Sequence, residues 1–213
     1  DDDGDAVALL REVASLYSKD LGDHSLALEA LVKALRRDPE DMSLMEAAHA
    51  EAKATDSYDS LLDAGRETLH MIDEDMLEER ICDLAGIAAG DAEKPEVAIG
   101  FLEHGIAKIG STVSLLKNLP GLLEKVGRTE SMVEALAGLF DVQEDSGEKI
   151  KVGRKLATVL EERLEDHDGA VRVYEAMVEV ESTDVEGLES LDRLYRKLER
   201  PLEIIRNCER IID

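Results

Sequence analysis

The sequence predicts an all-α chain, a right-handed α–α superhelix of about six helical hairpins. Three observations carry this. Apolar residues recur at helical spacing from end to end, and β-branched runs of period two are missing. The pattern also repeats: Ala27, Leu31 and Leu35 return 71 residues later as Ala98, Leu102 and Ile106, and a further 72 residues later as Ala170, Tyr174 and Val178. Composition agrees, since apolar residues make up 44% but aromatics only 3%, with no Trp, which leaves a core of small aliphatics suited to close-packed helices.

In chain order, Leu10, Val13, Ala14 and Tyr17 share one helix face, Gly22 and Asp23 interrupt it, and Leu28, Leu31, Ala34 and Leu35 resume it before Asp38-Pro39. Met45, Ala48 and Ala52, then Tyr58, Leu61 and Gly65, form a second hairpin. The register of the first returns at Leu84, Ala85 and Ala88 and again at Leu156, Ala157 and Leu160. That of the second returns at Leu116, Leu119 and Leu123 followed by Met132 and Leu136, then at Leu188, Leu191 and Tyr195 followed by Ile204 and Cys208. The expected organisation is one solenoid of twelve helices in three tandem two-hairpin units, about 5–74, 75–145 and 146–213.

Boundary residues fit this division. Asp23, Asp41, Asp56 and Thr183 stand before periodic runs as helix N-caps, and Thr183 with Glu186 has the spacing of a capping box. Pro95 suits a first helical turn, and Gly90, Gly110 and Gly127 follow helices as left-handed caps would. Pro120-Gly121 falls inside the helix expected from Thr112 to Val126, where a missing donor and a ring clash should kink or split it.

Leu10, Val13, Ala14, Tyr17, Ala27, Leu31, Ala34 and Pro39 together resemble the tetratricopeptide repeat. The copy at 155–183 lacks the closing Pro, and in the copy at 81–110 a Gly takes that place. The resemblance implies a non-catalytic scaffold that offers a concave surface, lined by the first helix of every hairpin, to a peptide or protein partner. In that register Arg11, Ser43, Cys82, Ser114, Lys117, Lys151, Arg154, Glu161, Glu186 and Arg193 are among the lining positions. Lys117, Lys151 and Arg154 then project into one stretch of groove as a positive spot for a carboxylate.

Net charge is −25, which disfavours a nucleic-acid backbone or an anionic membrane as partner. No apolar run approaches the roughly 18 residues that span a bilayer, and DDDGD at the start lacks the charge and apolar stretch of a signal peptide. Cys82 and Cys208 occupy separate apolar helix positions without a CxxC pattern, as buried free thiols of a cytoplasmic protein would. The sequence lacks an initiator Met and ends just after Ile211 and Ile212, which reads as a segment of a longer chain.

Asp1, Asp3, Asp5 and Glu12 have calcium-loop spacing, but Ala6 stands where the sharp turn needs Gly, which favours a disordered acidic start. None of the five His has a second His or Cys at metal-ligand spacing, and no nucleophile elbow, phosphate loop or zinc-protease motif occurs. The expectation is therefore no enzyme, metal or cofactor. Two other roles remain open: a structural spacer or self-assembling segment, and a docking arm of an enzyme whose catalytic domain lies elsewhere. Leu202, Ile204, Ile205, Ile211 and Ile212 offer an apolar face for self-association.

Overall fold

The computed structural model describes the backbone of residues 2–212 and the side chains of residues 4–211. Every regular element among them is helical, and they form two compact bodies that divide between Gly110 and Ser111.

The first body holds three hairpins. Helix α1 (Asp2–Ser15) runs on through a π-helical turn at Leu16–Leu21 and pairs with α2 (His24–Leu35). Helix α3 (Met42–Thr55) packs on α2 and turns into α4 (Asp59–Thr68), whose last turn is 3-10 at Leu69–Met71. Helix α5 (Glu74–Ala89) pairs with α6 (Pro95–Ile109). The periodic residues become the core: Leu31, Leu35, Leu44, Leu61, Ile81, Leu84, Ile99 and Phe101 are buried. Burial of such a side chain stabilises by about 1.5–3 kcal/mol, so the stacked apolar stripes hold the hairpins together.

The second body repeats the plan. Segments α7 (Val113–Leu116) and α8 (Leu119–Lys125) pack on α9 (Thr129–Val142), α10 (Ser146–Glu162) on α9 and α11 (His167–Val180), and α12 (Val185–Lys197) on α11 and α13 (Pro201–Ile212). Its core includes Leu115, Leu123, Met132, Leu156, Met177 and Leu191. With α7 and α8 taken as one interrupted helix, residues 2–212 contain the twelve helices and six hairpins expected.

Pro120 explains the interruption. Its ring nitrogen cannot donate to the Leu116 carbonyl, so the helix stops at Leu116, bends through Lys117 and Asn118, and restarts with Pro120 in its first turn. Leu115, Leu116, Leu119, Leu122 and Leu123 remain buried, so the broken segment keeps its place in the hairpin.

Most caps stand as expected, and some do not. Asp23 accepts from the Leu26 N–H, and Asp41 from the Ser43 and Leu44 N–H groups. Gly110 and Gly127 have positive φ, whereas Gly90, at φ −93°, does not. Asp56 is a left-handed C-cap of α3 (φ 51°) rather than an N-cap, because the chain needs that turn to reach Tyr58. Asp184, one residue beyond Thr183, is the cap position of α12, which displaces the Thr183–Glu186 box. Helix α1 already runs from Asp2, so Asp3, Asp5 and Glu12 lie on a helix and not in a loop or a disordered start; Asp1 lies outside the described residues, as does the Ile212 side chain.

Candidate functional site

The break between α7 and α8 brings backbone and charge together in the second body. A groove of about 350 Å³ lies beside it, floored by Pro120, Leu136 and Leu139 and bordered by Lys117, Lys151 and Lys155. Lys117 sits in the bend, exposed, since the kink turns it away from the buried leucines on either side. Lys151 and Lys155 lie one turn apart on α10, which Asp145 starts by accepting from the Glu148 N–H at 2.8 Å.

A neighbouring groove of about 440 Å³ shares Lys151 and Lys155 and adds Glu124, Arg154 and Arg163. Lys155 Nζ donates to Glu124 Oε2 at 3.2 Å, and Arg163 donates to the other carboxylate oxygen. The Arg163 and Lys155 hydrogen bonds hold the Glu124 carboxyl below the usual glutamate range. Lys151 reaches Glu148 at 2.6 Å, and that contact raises its own pKa.

Arg154 has a different task. Its Nη2 donates to Asp184 Oδ1 and its Nη1 meets Glu186 Oε2, both at 2.8 Å, so the guanidinium clasps α10 to the start of α12. Asp184 is only 9% exposed, and its Oδ2 has no hydrogen-bond partner among the described residues. Of the three cations expected to share a groove, Lys117 and Lys151 border one groove, and Arg154 lines the adjoining one while engaged by two carboxylates. Lys155 completes the first groove. Its spacing of four from Lys151 was the available signal for it.

The first body has its own groove, of about 380 Å³, between α3 and α5, bordered by Met42, Glu46, His49, Cys82, Asp83 and Asp91. His49 Nε2 and Lys53 Nζ meet Asp91 at 2.7 and 3.3 Å and lower its pKa. Burial and then Glu79 push the Asp83 carboxyl up, and burial pushes the Cys82 thiol up. Beneath Met42 lies Arg80, 2% exposed, whose Nη2 is 3.1 Å from the Met42 sulfur. Cys82 and Cys208 are free and half-buried rather than fully buried. Among the described residues no three His, Cys, Asp or Glu side chains converge as a metal-binding group, and no helix is long and apolar enough to cross a membrane.

A third groove, of about 640 Å³, lies where α11, α12 and α13 meet, with Val178, Val185, Leu188 and Ile211 on its wall. Leu202 and Ile205 of α13 are exposed nearby in sequence, at 66% and 56%.

No protein-family model matches the chain, and no curated protein matches it in sequence. Solved structures do. It is similar to the crystal structure of MamA, at 15% identity and a TM-score of 0.46, over 92% of this chain and 90% of that one. A tetratricopeptide repeat protein from Parabacteroides merdae ATCC 43184 gives 15% identity and a TM-score of 0.44 over 98% and 79%. YrrB, a TPR protein with an unusual peptide-binding site, gives 14% and 0.44 over 83% and 87%. Among the described residues the chain is all-α, built of consecutive helical hairpins.

Proposed function

We propose that this chain is a non-catalytic protein-interaction scaffold whose second body binds an anionic peptide segment in the groove beside the α7–α8 break. The observation that carries the reading is the juxtaposition of Lys117, Lys151 and Lys155 around one apolar-floored groove in a chain of net charge −25. Elsewhere the acidic surface repels an anion; here Lys117 is exposed, and the pairs of Lys151 with Glu148 and Lys155 with Glu124 lie in solvent, where an incoming carboxylate competes for both lysines. Arg154 borders the adjoining groove and clasps α10 to the start of α12. The recurrence at 71 and 72 residues supports three tandem two-hairpin units, the middle one containing the division between the two bodies.

The test uses fluorescein-labelled peptides of equal length, acidic, neutral and basic, followed by anisotropy at low and high salt. The acidic peptide is expected to bind best, with affinity falling as salt rises, and Lys117→Ser with Lys151→Ser should abolish the preference. Equal binding of all three peptides, or an unchanged preference in the double variant, would overturn the site.

A second reading rests on the exposed Leu202 and Ile205 of α13, an apolar face suited to a second copy of the chain. Sedimentation of the wild type against Leu202→Ser with Ile205→Ser, over a range of concentrations, distinguishes it. Association lost in the variant supports self-assembly, and a concentration-independent monomer removes it.

A further inference from the structure

Arg80 is a buried cation with too few acceptors. Its side chain is 2% exposed, its Nε has no hydrogen-bond partner among the described residues, and its Nη2 points at a thioether, Met42 Sδ, 3.1 Å away. A thioether is a weak acceptor, so the guanidinium is underserved where water is excluded. The charges of Asp83, Asp41, Glu79 and Glu40 already act on it, and Asp41 is itself held by Arg11. A further anion would crowd these carboxylates. A neutral, strongly accepting oxygen would not.

We propose that Met42 is a modification site, at which a hydroperoxide oxidises the sulfur and the resulting sulfoxide oxygen is held by the Arg80 guanidinium. The sulfur lone pair attacks one peroxide oxygen as the O–O bond breaks. An S–O bond forms, the transferred oxygen gives its proton to the departing hydroxide, which leaves as water, and the sulfur loses the two electrons that the peroxide gains. Arg80 keeps its protons and exchanges a weak acceptor for a strong one. Met42 and Met45 both line the α3–α5 groove, but access favours the Met42 sulfur, because Met42 is half-buried whereas Met45, like Met132 and Met177, is buried. Oxidation turns an apolar wall of that groove polar, and so changes what the groove accepts.

The experiment treats the full chain with hydrogen peroxide in a Met71→Leu, Met76→Leu background, which removes two other accessible sulfurs. Tandem mass spectrometry of the tryptic peptide 38–53 distinguishes Met42 from Met45. Met42 is expected to oxidise well before Met45, with Tm unchanged or raised, while in Arg80→Leu the same oxidation lowers Tm. Oxidation of Met42 no faster than Met45, or the same Tm change with and without Arg80, overturns the proposal. Should Arg80→Leu fail to fold, Met42→Gln carries the test, its amide oxygen standing in for the sulfoxide. It should melt about 2–4 °C above Met42→Leu, the shift that one net hydrogen bond gives in a chain of this size. Equal or lower melting overturns the proposal.

Discussion

Arg193 and Glu161 stand 32 residues apart and meet as a two-pronged ion pair, Nη2 donating to Oε2 at 2.8 Å and Nη1 to the other oxygen. The same spacing joins Arg11 to Ser43, Arg154 to Glu186 and Arg200 to Asp168. Half of the 71–72-residue recurrence is one hairpin step, and these pairs fall about one helical turn short of it, so the stacking of hairpins is recorded on the surface as well as in the core.

The Glu161–Arg193 pair should respond to acid. Arg193 holds the Glu161 carboxyl below its ordinary value of 4.5, against the opposing effect of partial burial. The folded state thus binds this proton less readily than the unfolded state. The pair's contribution is complete above that ordinary value and is lost as pH falls through the lowered folded one. Glu161→Gln should destabilise by about 0.5–1 kcal/mol at neutral pH, discounted because Arg193 is half exposed. Urea titrations should show the difference from wild type shrinking steadily below that value.

Arg154→Met should be more damaging. It strands the Asp184 carboxylate, which is 9% exposed, and we expect a loss of about 2–3 kcal/mol in urea unfolding. Arg154→Met combined with Asp184→Leu should recover much of this, because no buried charge is then left alone.

Two glycines should respond in opposite directions. A Cβ on Gly121 meets nothing within 4 Å, so Gly121→Ala should stabilise by about 0.5–1 kcal/mol through helix propensity. A Cβ on Gly153 would lie 2.8 Å from both Met177 Cγ and Phe140 Cε2, so Gly153→Ala should destabilise by about 1–3 kcal/mol. Thermal melts of the two variants decide both.

Pro120→Ala restores a donor for the Leu116 carbonyl. Circular dichroism should register a gain in helix, and the acidic peptide should bind more weakly as Lys117 rotates out of its bend. Unchanged peptide affinity would separate the groove from the break.

The hairpins, their register and the break at Pro120 were legible because each rests on local periodicity or on proline chemistry. Arg11, Ser43, Arg154, Glu161, Glu186 and Arg193, which share one register in the sequence, meet between successive first helices. The carboxylate partners of Arg154, 30 and 32 residues on, were not legible, because they come to it only through stacking. Asp56 and Thr183 misled as caps because a polar residue before a periodic run fits either side of a turn. The recurrence itself points to Asp184, the counterpart of Asp41.

The Arg154 clasp also has a twin. Arg11 reaches Asp41 and Ser43 in the first body as Arg154 reaches Asp184 and Glu186 in the second, at offsets of 30 and 32 residues in both. The corresponding residues of the middle copy are Cys82, Thr112 and Ser114, in which no oppositely charged pair is written. The repeats are therefore not interchangeable parts. A chain reassembled with its first and middle copies exchanged would keep every apolar stripe and every helix, yet would carry its fasteners to different junctions. One Arg and one Asp thus mark the first and third copies alike and set the middle copy apart from both.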